Sequence, residues 1–193
     1  MADMRLVVPQ FHPAATAFGA VLALMLSLSP LAGQTASDMD ALFAELAQTE
    51  GDGWVRAQSD IERAWSRSGS AALDLLLIRG EAALDAGDLP AAIGHLTALI
   101  ENAPDFAAGW AARGAALALA GQTGPAIADL AEAVRIEPRH WPALTLMGSI
   151  LEAVGDADRA EAAYRHSLSV NPHQEDAADG LSRLTSDTKG QGA

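Results

Sequence analysis

Residues 107–140 read AAGWAARGAALALAGQTGPAIADLAEAVRIEPRH, and the order of structural signals in this stretch decides the fold. Apolar residues recur at helical spacing up to Leu119, a glycine at Gly121 breaks the pattern, a second apolar-periodic run follows, and Pro138 ends it. The same order flanks it on both sides without a gap. Leu73 to Phe106 and Trp141 to Gln174 align with it at a step of 34 residues, which carries Gly80 onto Gly114 and Gly148, Gly87 onto Gly121 and Gly155, Ala92 onto Ala126 and Ala160, and Pro104 onto Pro138 and Pro172. Four residue types held in register over three windows mark an internal repeat.

Each repeated position has a physical reason. Gly80, Gly114 and Gly148, with the alanines of the second run, supply the missing bulk that lets two helices cross closely. Gly87, Gly121 and Gly155 follow apolar stretches and precede polar residues, which suits a helix-ending residue with positive φ. The prolines stop the second helix, because they lack an amide hydrogen and bias the preceding residue away from the helix. Each window is helix, tight turn, helix, stop. No single window buries its apolar stripe, so the three must stack.

The windows resemble the tetratricopeptide repeat (TPR). The middle one carries its pattern as Trp110, Gly114, Gly121, Ala126, Leu130, Ala133 and Pro138; the third as Leu144, Gly148, Gly155, Ala160, Tyr164, Ser167 and Pro172; the first as Leu76, Gly80, Gly87, Ala92, Leu96, Leu99 and Pro104. The resemblance implies an all-α solenoid of stacked antiparallel helix pairs, acting as a protein-binding module without catalysis. It also implies a concave peptide groove lined by the first helix of each repeat, at Asp74, Leu77, Glu81 and Leu84, at Ala108, Ala111, Ala115 and Ala118, and at Pro142, Thr145, Ser149 and Glu152. Family members that clamp a partner's C-terminal carboxylate use Lys, Asn and Arg at such positions. Leu77, Glu81, Ala111, Ala115, Thr145 and Ser149 stand there instead. The implied ligand is an apolar helix or extended segment, with Asp74, Glu81 and Glu152 favouring a basic flank.

Outside the repeats of 73–106, 107–140 and 141–174, residues 37–70 read as a divergent helical capping pair. Ser37-Asp38 offers an N-cap, Gly51-Asp52-Gly53 makes the break, and Leu42, Leu46, Ile61 and Trp65 are expected to pack on the first repeat. Residues 175–187 read as a C-terminal capping helix with Ala178, Leu181 and Leu184 inward and Gly180 weakening it, and 188–193 as a disordered tail. Arg113 is expected to pair with Asp129 across one helix hairpin. At the corresponding place Arg79 meets only His95.

The first 36 residues read as an address. No Asp, Glu, Lys or Arg occurs between Arg5 and Asp38, and Ala14 to Leu28 reads AATAFGAVLALMLSL. This has the form of a signal peptide with cleavage between Gly33 and Ala36, which predicts an exported, periplasmic protein. The other reading is an uncleaved inner-membrane anchor through 14–32, close to the roughly 20 residues that span a bilayer.

Composition closes off other classes. With 25 acidic against 12 basic residues the net charge is −13, and the basic residues are scattered, which argues against nucleic acid and against an anionic lipid surface. There is no cysteine, hence no thiolate metal site or cysteine nucleophile. His140 and His173 fall just beyond repeat-ending prolines and read as surface-turn residues. No histidine pair has helical zinc spacing, and no nucleophile elbow or phosphate loop occurs, so neither cofactor nor enzymatic activity is expected. The partner is another protein or peptide. Self-association through exposed Trp54, Trp141 or the alanine-lined groove is the alternative, as is membership of a membrane-anchored envelope complex.

Overall fold

The computed structural model describes residues 31–190, and the segment up to residue 30, read from the sequence as an address, lies outside them. In chain order the helices are α1 (Leu31–Leu46), α2 (Gly53–Trp65), α3 (Ala71–Asp85), α4 (Leu89–Asn102), α5 (Ala107–Leu119), α6 (Thr123–Ile136), α7 (Trp141–Ala153), α8 (Ala157–Val170) and α9 (Glu175–Gly190). No strand occurs among the described residues. From α3 to α9 each helix packs on the next, and α5 also touches α3 and α7. The result is the expected all-α solenoid.

The repeated residues act as their spacing predicts. Gly87, Gly121 and Gly155 have φ of 74°, 74° and 81°. At each, the glycine N–H bonds back to Leu84, Ala118 or Glu152, and the following N–H reaches Ala83, Leu117 or Leu151 at 2.8–2.9 Å, so the same Schellman closure recurs three times. A Cβ on Gly148 would stand 2.7 Å from the Tyr164 ring, and one on Gly114 2.8 Å from Leu130. The core fills the space between successive pairs. Leu77, Leu96, Leu99 and Ala116 form one layer, Leu130, Ala133 and Ala143 the next, and Leu151, Tyr164 and Ala177 the last.

Arg113 makes the expected ion pair. Its Nε and Nη2 donate to the two Asp129 carboxylate oxygens at 2.6 and 2.9 Å, and Nη1 donates to Thr97 of the preceding repeat at 3.2 Å. The Arg79 side chain, at the equivalent place, forms no hydrogen bond or ion pair among the described residues.

The N-terminal pair is not where the sequence reading puts it. Neither α1 nor α2 stacks on α3. Leu46, Ala57 and Ile61 instead share a core with Trp141 and Val170, joined by Leu42, Phe43 and Trp65. Trp65 stacks on His140 with ring centroids 4.6 Å apart, Trp54 on His173 at 4.0 Å, and Gln58 accepts a hydrogen bond from Asn171. Arg139 donates to Asp40 and lies 3.9 Å above the Phe43 ring. The hairpin therefore lies along the rim of inter-repeat turns, with the C-terminal end of α2 at the turn before α7 and its N-terminal end at the turn before α9. The reason is in the side chains. His140 and His173 in the turns, and Trp141 at the start of α7, present flat surfaces that the tryptophans of α2 cover, whereas Gln58 and Glu62 give α2 no apolar face to lay on α3.

His140 and His173 are consequently interface residues rather than free surface turns. His140 is 7% exposed, and its Nδ1 accepts the Ala143 N–H at the start of α7. At the two ends there are smaller differences. α1 already includes residues 31–36, so Ser37 stands inside the helix instead of capping it; Leu, Ala and Gln there favour helix, against Gly33 and Thr35. α9 runs to Gly190, past the end at 187 read from the sequence. Its inward stripe is Ala177, Gly180, Leu181 and Leu184, while Ala178 is exposed, because Gly180 is needed where α9 meets Tyr164.

This packing sets opposite signs for two glycine substitutions. Gly148→Ala should lower stability in urea unfolding by about 1–3 kcal/mol through overpacking, whereas Gly94→Ala, in mid-α4 with nothing within 4 Å of its Cβ, should raise it by about 0.5–1 kcal/mol. The buried histidine sets a pH dependence. Desolvation pushes the His140 pKa from 6.5 down to about 4, against weaker raising effects of its own backbone and of Glu137. Above pH 6.5 folded and unfolded chains both hold it neutral. Between pH 6.5 and 4 only the unfolded chain takes up the proton, so stability should fall as pH drops, by up to about 3 kcal/mol in all. His140→Asn, which can still cap α7, should flatten the slope over that window.

Candidate functional site

A concave surface exists on the first helices of the repeats, and it carries two clefts that meet at α7. The more apolar of them is a cleft of about 280 Å³ lined by Leu77 and Glu81 of α3, Ala108, Ala111, Ala112 and Ala115 of α5, Leu130 of α6, and Pro142, Ala143 and Leu146 of α7. Its near wall is Glu62, Trp65 and Ser66 at the end of α2, with His140. Repetition explains the alanines. Positions offset by three and four residues on α5 share one face, and small side chains there leave space between α3 and α7.

A second cleft of about 400 Å³ meets the first at Pro142 and Leu146. Thr145, Ser149, Tyr164, Gln174, Asp176, Asp179 and Arg183 complete its wall. It is more polar, because α9 contributes acidic residues and Arg183.

The groove positions read from the sequence thus separate. Leu77, Glu81, Ala108, Ala111 and Ala115 meet in the apolar cleft, and Thr145 and Ser149 in the polar one. Leu77 forms the floor, at 1% exposed. Leu84 packs against the first core layer, and Ala118 is half-buried near the end of α5 and lines neither cleft.

The acidic positions differ in what they hold. Asp74 accepts from the Ser68 hydroxyl at 2.6 Å and the Ser68 N–H at 2.7 Å, bonds that lower its pKa and fix the turn before α3. Glu152 takes both Arg183 Nε and Nη2, at 2.8 and 2.9 Å, and the Tyr164 hydroxyl at 2.7 Å. The Arg183 bond, followed by that of Tyr164, lowers its pKa; burial, then Glu152, pushes Tyr164 up to about 12. Both carboxylates fasten the protein to itself. Glu81 has no such partner, and desolvation followed by the nearby Asp85 raises its pKa.

Sequence reasoning missed Glu62, Trp65 and His140 as cleft residues because it placed α2 at the end of the stack. One signal was present. Trp141 stands where the other repeats have Leu73 and Ala107, a bulk the stack itself does not require. Among the described residues no group of His, Asp and Glu is arranged to hold a metal ion.

Residues 142–174 match the family model described as tetratricopeptide repeat. A TPR repeat-containing protein of Rhizobium etli is 29% identical over 147 residues, covering 76% of this chain and 72% of that protein. Among solved structures, the Arabidopsis OM64 TPR domain superposes with a TM-score of 0.59 at 23% identity, over 60% of this chain and 96% of that one. The first TPR of Spaghetti (RPAP3), bound to the HSP90 peptide SRMEEVD, gives 0.59 at 19% identity, over 61% and 93%. The chain is thus similar to tetratricopeptide-repeat proteins in one matched repeat and in the Rhizobium relative, and it shares the solenoid fold of the solved TPR domains.

Proposed function

We propose that this chain is an exported, non-catalytic interaction module of the bacterial envelope that holds an apolar helical or extended segment of another protein in its concave face. The observation that carries this reading is the cleft between α3, α5 and α7, open to solvent and walled by Leu77, Ala108, Ala111, Ala112, Ala115 and Leu146. An apolar cleft of this kind gains by removing a partner's side chains from water. The RPAP3 domain, in the same fold, holds a peptide with adjacent acidic residues. The basic side chains that would suit such a peptide are missing from this cleft, so the ligand class differs.

Export rests on residues 1–36. If that segment is cleaved, N-terminal sequencing of the protein from an envelope fraction should read a start near Gly33 to Ala36, and carbonate should wash the protein off. Met1 retained on a carbonate-resistant form would instead support the anchor through 14–32.

A second reading, self-association, is favoured by one feature. With the hairpin on the rim, the outer side of α3 is left without a stacked helix, and Leu75 and Ile78 are 44% and 58% exposed there. The experiment that separates the two places a photoreactive residue at Ala111, with one at exposed Ala128 on α6 as control. A captured protein other than this one, specific to Ala111, supports the groove. Capture only of itself, with a concentration-dependent size that Ile78→Glu abolishes, supports self-association.

A further inference from the structure

Resting on that groove reading, we propose that the segment bound in the apolar cleft carries an arginine or lysine whose cation pairs with Glu81. Among the apolar residues of the cleft wall stand the Trp65 indole N–H, which is buried without a hydrogen-bond partner, the Ser66 side chain, a buried His140 and two carboxylates, Glu81 on α3 and Glu62 on α2. Glu62 accepts from the Gln58 side chain at 3.2 Å. The Glu81 side chain forms no hydrogen bond or ion pair among the described residues, although it lies on the same helix as Arg79. Residues two apart on a helix point to different sides, so Arg79 does not serve it.

The consequence is a charge selection. A neutral apolar side chain laid over the cleft would remove more water from the Glu81 carboxylate and give nothing back. An acidic side chain would meet two like charges. A basic side chain lays its methylene stem along Ala111 and Ala115 and brings N–H donors to the carboxylate, satisfying both surfaces at once. The chemistry is the reverse of a carboxylate clamp: the protein supplies the anion and the ligand the cation.

The test uses the full chain and a set of short, acetylated and amidated leucine-alanine peptides that differ only at a central Arg, Lys, Gln, Leu or Glu, with binding followed by fluorescence anisotropy. The Arg and Lys peptides should bind at least about tenfold more tightly than the Gln peptide, with a preference that shrinks as salt is raised. Glu81→Gln should erase the preference while retaining the helical circular dichroism of the parent, and Glu81→Lys should transfer it to the Glu peptide. Equal affinity for Arg, Gln and Leu peptides, or a basic preference that survives Glu81→Gln, overturns the assignment while leaving the groove reading intact. If no peptide binds, the apolar ones included, the groove reading fails and this proposal with it.

Discussion

The close crossing of the two helices within each repeat is the constraint from which the rest of the structure follows. At Gly80, Gly114 and Gly148 there is no room for a methyl group beside Leu96, Leu130 and Tyr164. Because the backbones touch there, the side chain from the second helix sits against bare backbone and its remaining surface faces the neighbouring pair. The buried layers are therefore made between repeats, and no pair holds its core alone. The Schellman turns fix the angle at which the second helix returns, so the same crossing is reproduced at each step.

A stack built this way leaves two edges and two ends, and the chain treats them differently. The C-terminal end is covered by α9, which repeats the same glycine device at Gly180 against Tyr164 and adds the Arg183–Glu152 pair. The N-terminal helices do not cover the other end. They lie on the rim where Trp141 is 1% exposed between Phe43 and Trp65, and where Trp65 and Trp54 stack on histidines of two successive turns. A beam fastened to consecutive turns opposes any change in their spacing. The hairpin also supplies one wall of the cleft.

The parts of this architecture legible in the sequence are those set by local geometry at fixed spacing. Gly121 ends a helix because it follows an apolar-periodic run and precedes polar residues, Pro138 stops the next one at its end, and Arg113 reaches Asp129 because both lie within one helix hairpin. The position of α1 and α2 is not legible, since it depends on aromatic contacts between residues far apart, such as Trp65 and Trp141, that no period encodes. The groove is readable as a set of positions but not as a surface. Asp74 and Glu152 look like ligand contacts until Ser68 and Arg183 are seen to hold them. The inward face of α9 differs from the sequence reading by one residue, because Gly180 reads as a weakness in the helix when it is the point of contact.

Electrostatics gives the cleft its character. The chain is strongly acidic, and of its ten described arginines eight already face carboxylates: Arg56, Arg63, Arg113, Arg135, Arg139, Arg159, Arg165 and Arg183. Most of these pairs are exposed and contribute little to stability. Their effect is on availability, because an arginine held by a carboxylate of the same protein is not free to turn toward the concave face. Asp74, Asp129 and Glu152 have partners within the protein, while Glu81 shares the cleft with the alanines of α5 and has no hydrogen-bond or ion-pair partner among the described residues. An apolar surface beside an unanswered carboxylate is complementary to a side chain that is apolar along its length and cationic at its tip.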